Sequence, residues 1–201
     1  MCTKGLVNFA GYHKNQEETD KVLTADGWLH TGDIGRWNPD GTLSIIDRKK
    51  NIFKLSQGEY VAAEKIEMVV SKSKYISQPW VYGNSNFSCL VAVVTPDYAE
   101  LSRAAREGGW HVGDQAALAA KPEAKRLILD EMAAEAKAAK LKTFEIPKAV
   151  HLEGVTNELG QGFSVENDLL TPTFKVKRPQ LLQKYQEAIN KMYAELGEKV
   201  G

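Results

Sequence analysis

Cysteine is nearly missing: two among 201 residues, Cys2 and Cys89, fit neither a disulfide framework nor a metal-ligand spacing. The four histidines, His13, His30, His111 and His151, stand too far apart for a local metal motif. No Ser/His/Asp or Cys/His arrangement for covalent catalysis is readable either. No apolar run approaches the roughly 18 residues that a spanning helix requires. The N-terminus MCTKGLVNFAGYHK has neither a signal core nor a transit-peptide bias, and the closing Glu-Lys-Val-Gly matches no retention or peroxisomal address. Net charge is absent too. Lys plus Arg and Asp plus Glu each total 26, so no one-signed field draws nucleic acid or an anionic bilayer. These absences point to a reducing, intracellular setting for a globular protein without nucleic-acid partners. With 43% hydrophobic residues, the chain can bury one or two modest cores.

Turn signals punctuate the first quarter. Asp26-Gly27, Thr31-Gly32-Asp33 and Pro39-Asp40-Gly41 separate short apolar runs such as Leu43 to Ile46, which predicts short strands and hairpins. The polar stretch Asp47 to Asn51 reads as an exposed connection and a domain boundary. Beyond it, Ala62, Ile66, Val69 and Val70 recur at helical spacing within Glu59 to Ser71. Pro79 to Tyr82 and Cys89 to Thr95 read as buried strands, the second stopped by Pro96-Asp97. The pattern turns helical between Asp97 and Leu141, with Pro122 near a helix start. Ile146 to Val150 resumes a strand, and a long irregular segment runs from Glu153 to Arg178. Pro179 then opens a final helix with the stripe Leu182, Tyr185, Ile189, Met192 and Leu196. Strands alternating with helices make the fold class α+β or α/β.

Three stretches carry chemistry in a fixed order: GWLHTGD at 27–33, IIDRKKNIFKLSQGEYVAAEKIE at 45–67, and FSVENDLLTPTFKVKRP at 163–179. Together they resemble the adenylate-forming, AMP-binding enzymes, and the wording of the last two is that of long-chain acyl-CoA synthetases. The resemblance covers nearly the whole chain. It implies an α+β fold in which residues 50–201 are the C-terminal lid domain and residues 1–49 the β-rich, incomplete end of the large AMP-binding domain. It also implies ATP-dependent activation of a long-chain fatty acid through an acyl-adenylate, with Mg2+ and CoA as the other participants. The family's Ser/Thr/Gly-rich phosphate loop is not among these residues. The isolated chain is therefore expected to turn over poorly, with the large N-terminal domain as its missing partner and any peripheral membrane association residing in that absent region. The alternative is a truncated, non-catalytic interaction module that keeps the lid fold. The expected place of work is the cytoplasm or the cytosolic face of an organelle membrane, the peroxisome included.

By the same resemblance, Asp33 holds the ribose hydroxyls of ATP, since one carboxylate accepts twice from a vicinal diol. Arg48 bonds the same ribose with its planar fork. Lys50 stands at the hinge about which the lid turns between half-reactions. Lys54, Ser56, Gln57 and Gly58 face CoA in the thioester step, although many relatives carry glycine where Gln57 stands here. A turn that uses Gly58 for positive φ is the structural reading of the same loop. Lys175 reaches the fatty-acid carboxylate and the α-phosphate during adenylation. That step brings two anions together, so a cation placed between them supplies what the transition state lacks. No metal ligand is expected in this chain. Trp28 and Tyr60, beside motif residues, are expected to pack rather than bind.

Overall fold

A computed structural model describes residues 1–199 and divides the chain into two compact units, Met1–Ile52 and Phe53–Gly201. The first unit consists of β1 (Cys2–Lys4), α1 (Gln16–Val22), β2 (Trp28–His30), β3 (Asp33–Trp37), β4 (Leu43–Arg48) and a 3-10 turn at Lys49–Asn51. β1 and β2 pair antiparallel, as do β3 and β4. The β3–β4 connection is the expected Pro39-Asp40-Gly41 turn, closed by Asn38 N–H to Thr42 O at 2.8 Å, with Gly41 at φ +81°. The strands oppose Trp37 to Leu43 and Gly35 to Ile45, so Trp37, Leu43 and Ile45 share one face. That face is open, Trp37 at 73% and Ile45 at 55% exposure. A two-stranded ribbon that buries so little is marginal by itself. α1 escaped the sequence reading because it has no apolar period; only Thr19 is buried along it. Its caps were nevertheless legible: Asn15 accepts from the Glu18 N–H, with Glu17 and Glu18 in the first turn and Lys21 in the last.

The second unit is built around a three-stranded sheet in the order β7–β8–β9, with β7 Ile76–Tyr82, β8 Val91–Pro96 and β9 Ala149–Leu152. β7 and β8 run antiparallel, β8 and β9 parallel. Every residue of β8 is buried, because helices cover both faces of the sheet. Ala92 and Val94 point into one core with Ile66, Val70, Leu101, Ile128 and Met132. Val91 and Val93 point into the other with Trp80, Phe163, Leu181, Tyr185 and Ile189. This is the period-two alternation of a strand turned to two apolar environments. α2 (Ala63–Val70), α3 (Tyr98–Glu107), α4 (Gln115–Ala120) and α5 (Pro122–Ala138) supply the first core, and α6 (Arg178–Glu195) the second. Asp97 and Asp114 cap α3 and α4 through their side chains, and Pro122 opens α5. The architecture is α+β.

Several boundaries differ from the sequence expectation. The stretch from Glu59 starts as a strand, β6 (Tyr60–Ala62), paired with β5 (Ile52–Lys54), and turns helical only at Ala63. The buried positions of α2 are Ala63, Ile66, Glu67 and Val70, which brings a carboxylate onto the apolar side. The stripe of α6 is Leu181, Tyr185, Ile189, Met192 and Tyr193, while Leu196 is 38% exposed. Adjacent leucines at 181 and 182 satisfy the same period; Leu181 is fully buried, and Leu182 packs partly buried against the same core. The segment expected to be irregular at 153–178 is so up to residue 177, Arg178 already opening α6, yet it is packed. Phe163, Leu169 and Leu170 are buried, and Gln78 exchanges two bonds with the Phe163 backbone at 2.8 and 2.9 Å. A side chain here does what a strand ladder would otherwise do. Gly162 lets the chain press onto β8, since an added Cβ would overlap Thr95 Oγ1 and Glu153 Cγ.

At the end of β9 two titratable groups face α6. Burial pushes the His151 imidazole below its ordinary value, Lys125 and Lys184 add to this, and Glu153 opposes it. For Glu153, burial acts to raise the carboxyl, but the bonds from Tyr185, Lys184 and the Val155 N–H outweigh it and leave it below the usual range. The signs agree. An imidazole that resists protonation in the folded state loses stability as pH falls below the unfolded value of 6.5. A depressed carboxyl loses stability only further down, below its unfolded value of 4.5. The denaturant midpoint should therefore fall between about pH 7.5 and pH 5.5, and His151→Gln should shrink that fall. An unchanged difference between the two pH values would remove His151 from the account.

Candidate functional site

In the first unit, the register of one hairpin joins the two residues expected at the ribose. Asp33 opens β3 and Arg48 closes β4, and they are direct cross-strand partners. The Arg48 Nε lies 3.1 Å from Asp33 Oδ1. Gly32, at φ +76°, makes the turn that precedes Asp33, and its carbonyl accepts from the Lys49 N–H at 2.7 Å. The motif at 27–33 and the basic stretch after β4 are thus fastened together by backbone. They line an open cleft of about 770 Å³ with Phe9, Tyr12, Leu29, His30, Lys49 and Lys50. A carboxylate and a guanidinium side by side at such a cleft present an acceptor and donors to a pair of neighbouring hydroxyls. Lys50 sits on the 3-10 turn and is exposed.

Lys54 ends β5, and Ser56, Gln57 and Gly58 occupy the turn between β5 and β6. Gly58 has φ +95°, and its N–H donates to Leu55 O at 2.9 Å, so the turn does use glycine for a left-handed residue. The tip is not loose. Ser56 N–H donates to Phe87 O at 3.0 Å, Gln57 Nε2 donates to Ser88 O at 2.8 Å, and Leu55 is buried beneath. Gln57 therefore does a job that glycine cannot: its amide ties the hairpin to the loop before β8. Lys54 stands 5.8 Å from the Tyr60 ring centroid. Tyr60 is 68% exposed and Trp28 is 42% exposed beside Lys4, so neither is the packing residue expected from sequence.

Lys175 is exposed on a short turn. Thr171 N–H donates to Lys175 O at 2.8 Å, and Lys175 N–H donates back to Thr171 Oγ1 at 3.1 Å. Phe174 adopts φ +59° to close it, a conformation uncommon for an aromatic residue. Leu170 and Val176 bridge at the base of the turn, and Lys177 pairs with Asp168. The lysine is thus carried at the tip of a small, internally bonded projection just before α6.

The structure joins Asp33 to Arg48, with Lys50 on the same cleft, in the first unit; Lys54, Ser56, Gln57, Gly58 and Lys175 belong to the second. Sequence reasoning passed over Lys49, Phe9 and Tyr12 at the cleft because a lone lysine or aromatic carries no pattern. It also passed over Glu67, although a carboxylate at the apolar spacing of α2 was a visible signal. No His, Cys, Asp and Glu group that could hold a metal ion is found among the described residues.

No family model matches the chain. The fold is that of part of the adenylation domains of the AMP-binding superfamily. The A domain of a carboxylic acid reductase from Segniliparus rugosus, solved with AMP and a co-purified carboxylic acid, superposes with a TM-score of 0.80 at 31% identity, over 97% of this chain and 28% of that one. Within that superfamily, the chain is homologous over nearly its whole length to part of the long-chain acyl-CoA synthetases. Long chain acyl-CoA synthetase 4 of Arabidopsis thaliana is 51% identical over 199 residues, which are 99% of this chain and 29% of the relative. Long chain acyl-CoA synthetase 6, peroxisomal, of the same plant is 49% identical over 98% of this chain and 27% of its own length. The chain spans under a third of the curated relatives it matches.

Proposed function

We propose that this chain is the C-terminal portion of an ATP-dependent ligase that activates long-chain fatty acids through an acyl-adenylate and passes the acyl group to CoA. The observation that carries this reading is the pairing of Asp33 with Arg48 at the cleft, in a chain about half identical to long-chain acyl-CoA synthetases. Residues 1–49 are the end of the large domain, and the open Trp37, Leu43 and Ile45 face is where the preceding part of that domain packs. Residues 50–201 are the lid, turning about Lys50. In adenylation, Asp33 accepts from both ribose hydroxyls and Arg48 holds the carboxylate and the sugar in register. Lys175 enters between the attacking carboxylate and the α-phosphate and stabilises the charge gathered there. Mg2+ would come with the ATP phosphates and would neutralise charge there, with none of the described residues of this chain as its ligands. In the second step the Lys54 to Gly58 hairpin lines the approach of CoA. The isolated chain lacks the phosphate loop and does not turn over by itself. The enzyme works inside the cell, in the cytoplasm or on the cytosolic face of an organelle membrane, and touches lipid through the region outside this chain.

Asp33 gives the direct test. A chimera in which residues 1–201 replace the matched segment of the Arabidopsis long chain acyl-CoA synthetase 4 supplies the missing domain. Asp33→Asn in that chimera keeps the shape but removes the charge that strengthens both ribose bonds. The KM for ATP in palmitate-dependent pyrophosphate exchange should rise by about ten- to a hundredfold, the size of one or two bonds to a charged group. An unchanged KM for ATP would place the ribose elsewhere.

A further inference from the structure

The two loops assigned to the two half-reactions are tied to one point on the sheet. β7 is an edge strand, and Val81 presents both its N–H and its carbonyl away from β8. Glu67 of α2 accepts the Val81 N–H through Oε1 at 2.8 Å. Arg178, the first residue of α6, donates to the Val81 carbonyl at 3.4 Å and to Glu67 Oε2 at 2.7 Å. The pair is largely buried, the side chains 11% and 19% exposed, and the Arg178 Nε is buried with no acceptor among the described residues. Burial pushes the Glu67 carboxyl up, and the guanidinium and the Val81 N–H pull against it.

Such a pair is a poor device for stability alone, since desolvating two charges offsets most of their attraction, and an apolar pair would serve as well. What it does supply is direction and register. α2 continues without a break from the hairpin that bears Lys54 and Gly58, and Arg178 lies three residues beyond Lys175. We propose that Glu67 and Arg178 are positioning residues. Clamped about the Val81 peptide, they fix the root of the Lys175 turn to the edge of the sheet, so that Lys175 arrives at the reacting groups in one geometry. The inference rests on the role given to Lys175 above, but the clamp itself can be tested apart from it.

In the full 201-residue chain, amide hydrogen exchange should be compared among the parent, Glu67→Gln, which keeps an acceptor for Val81, and Arg178→Lys, which keeps the charge without the fork. The Lys175 and Lys177 amides should exchange faster by about tenfold or more in both variants, while amides of Ile128 and Met132 in α5 stay within about twofold. Uniform acceleration across all of these would reduce the pair to bulk stability and overturn the proposal, as would unchanged exchange at Lys175 and Lys177. In the chimera, the same variants should lower the adenylation rate by about tenfold and leave the thioester step, started from supplied palmitoyl-adenylate, within about threefold. Equal loss in both steps would also overturn it. If Lys175→Ala itself leaves adenylation intact while the exchange pattern holds, the role of Lys175 fails and the clamp stands.

Discussion

Lys175→Ala, placed in the chimera with the Arabidopsis relative, is expected to slow formation of palmitoyl-adenylate by about 10²–10³-fold, the loss that follows removal of one preorganised group from a charge-developing transition state. The expectation comes from how the side chain is held. Its turn is closed by reciprocal bonds between Thr171 and Lys175 and by the left-handed Phe174, so the amine is displayed on a fixed projection. A preorganised cation needs little reorganisation at the moment of reaction. The loss should fall on kcat of the first step, with the KM for ATP nearly unchanged, because the ribose is held by Asp33 and Arg48. The thioester step, begun from supplied adenylate, should proceed at close to the parent rate. Single-turnover measurement of each step separates these outcomes. Equal loss in both steps would mean that the substitution had disturbed the lid as a whole.

Phe163→Ala should destabilise the second unit by about 3–5 kcal/mol. Phe163 is 1% exposed and packs edge-on against Tyr185 at a centroid distance of 6.0 Å. Its backbone is held on both sides by Gln78. The truncation opens a cavity between the sheet and α6 that this framework cannot close by collapse, since the bonds to Gln78 fix the chain on one side and the α6 stripe on the other. Denaturant unfolding of the 201-residue chain gives the number. A change below about 1 kcal/mol, the usual range for a surface position, would show that residues 153–178 are draped over the core rather than built into it.

The fold was legible wherever apolar period decided it. The runs that became β7 and β8, the Pro122 start of α5 and the final amphipathic helix all follow from spacing and punctuation. What could not be read was set by tertiary contact. Leu181 and Leu182 fit the same stripe, and only packing into the core beside the sheet makes Leu181 the buried one. Glu67 stood at the apolar spacing of its helix, but the partner that explains it, Arg178, is 111 positions away. Residues 153–177 carried no period at all, since their backbone is satisfied by local turn bonds and by the side chains of Gln78 and Asn167. Of the candidate site, the motif residues were named in advance from their resemblance to a family. The cross-strand contact that joins Asp33 to Arg48 required the register of the β3–β4 hairpin, which a bulge between Ile34 and Gly35 shifts by one residue.

The account stands or falls on whether this chain completes an adenylate-forming ligase. The decisive measurement is ATP-dependent formation of palmitoyl-adenylate and then palmitoyl-CoA, made with the 201-residue chain alone and with the chimera. The account predicts product from the chimera and none from the chain alone. Product from the chain alone, or a folded chimera that forms neither product, would contradict it.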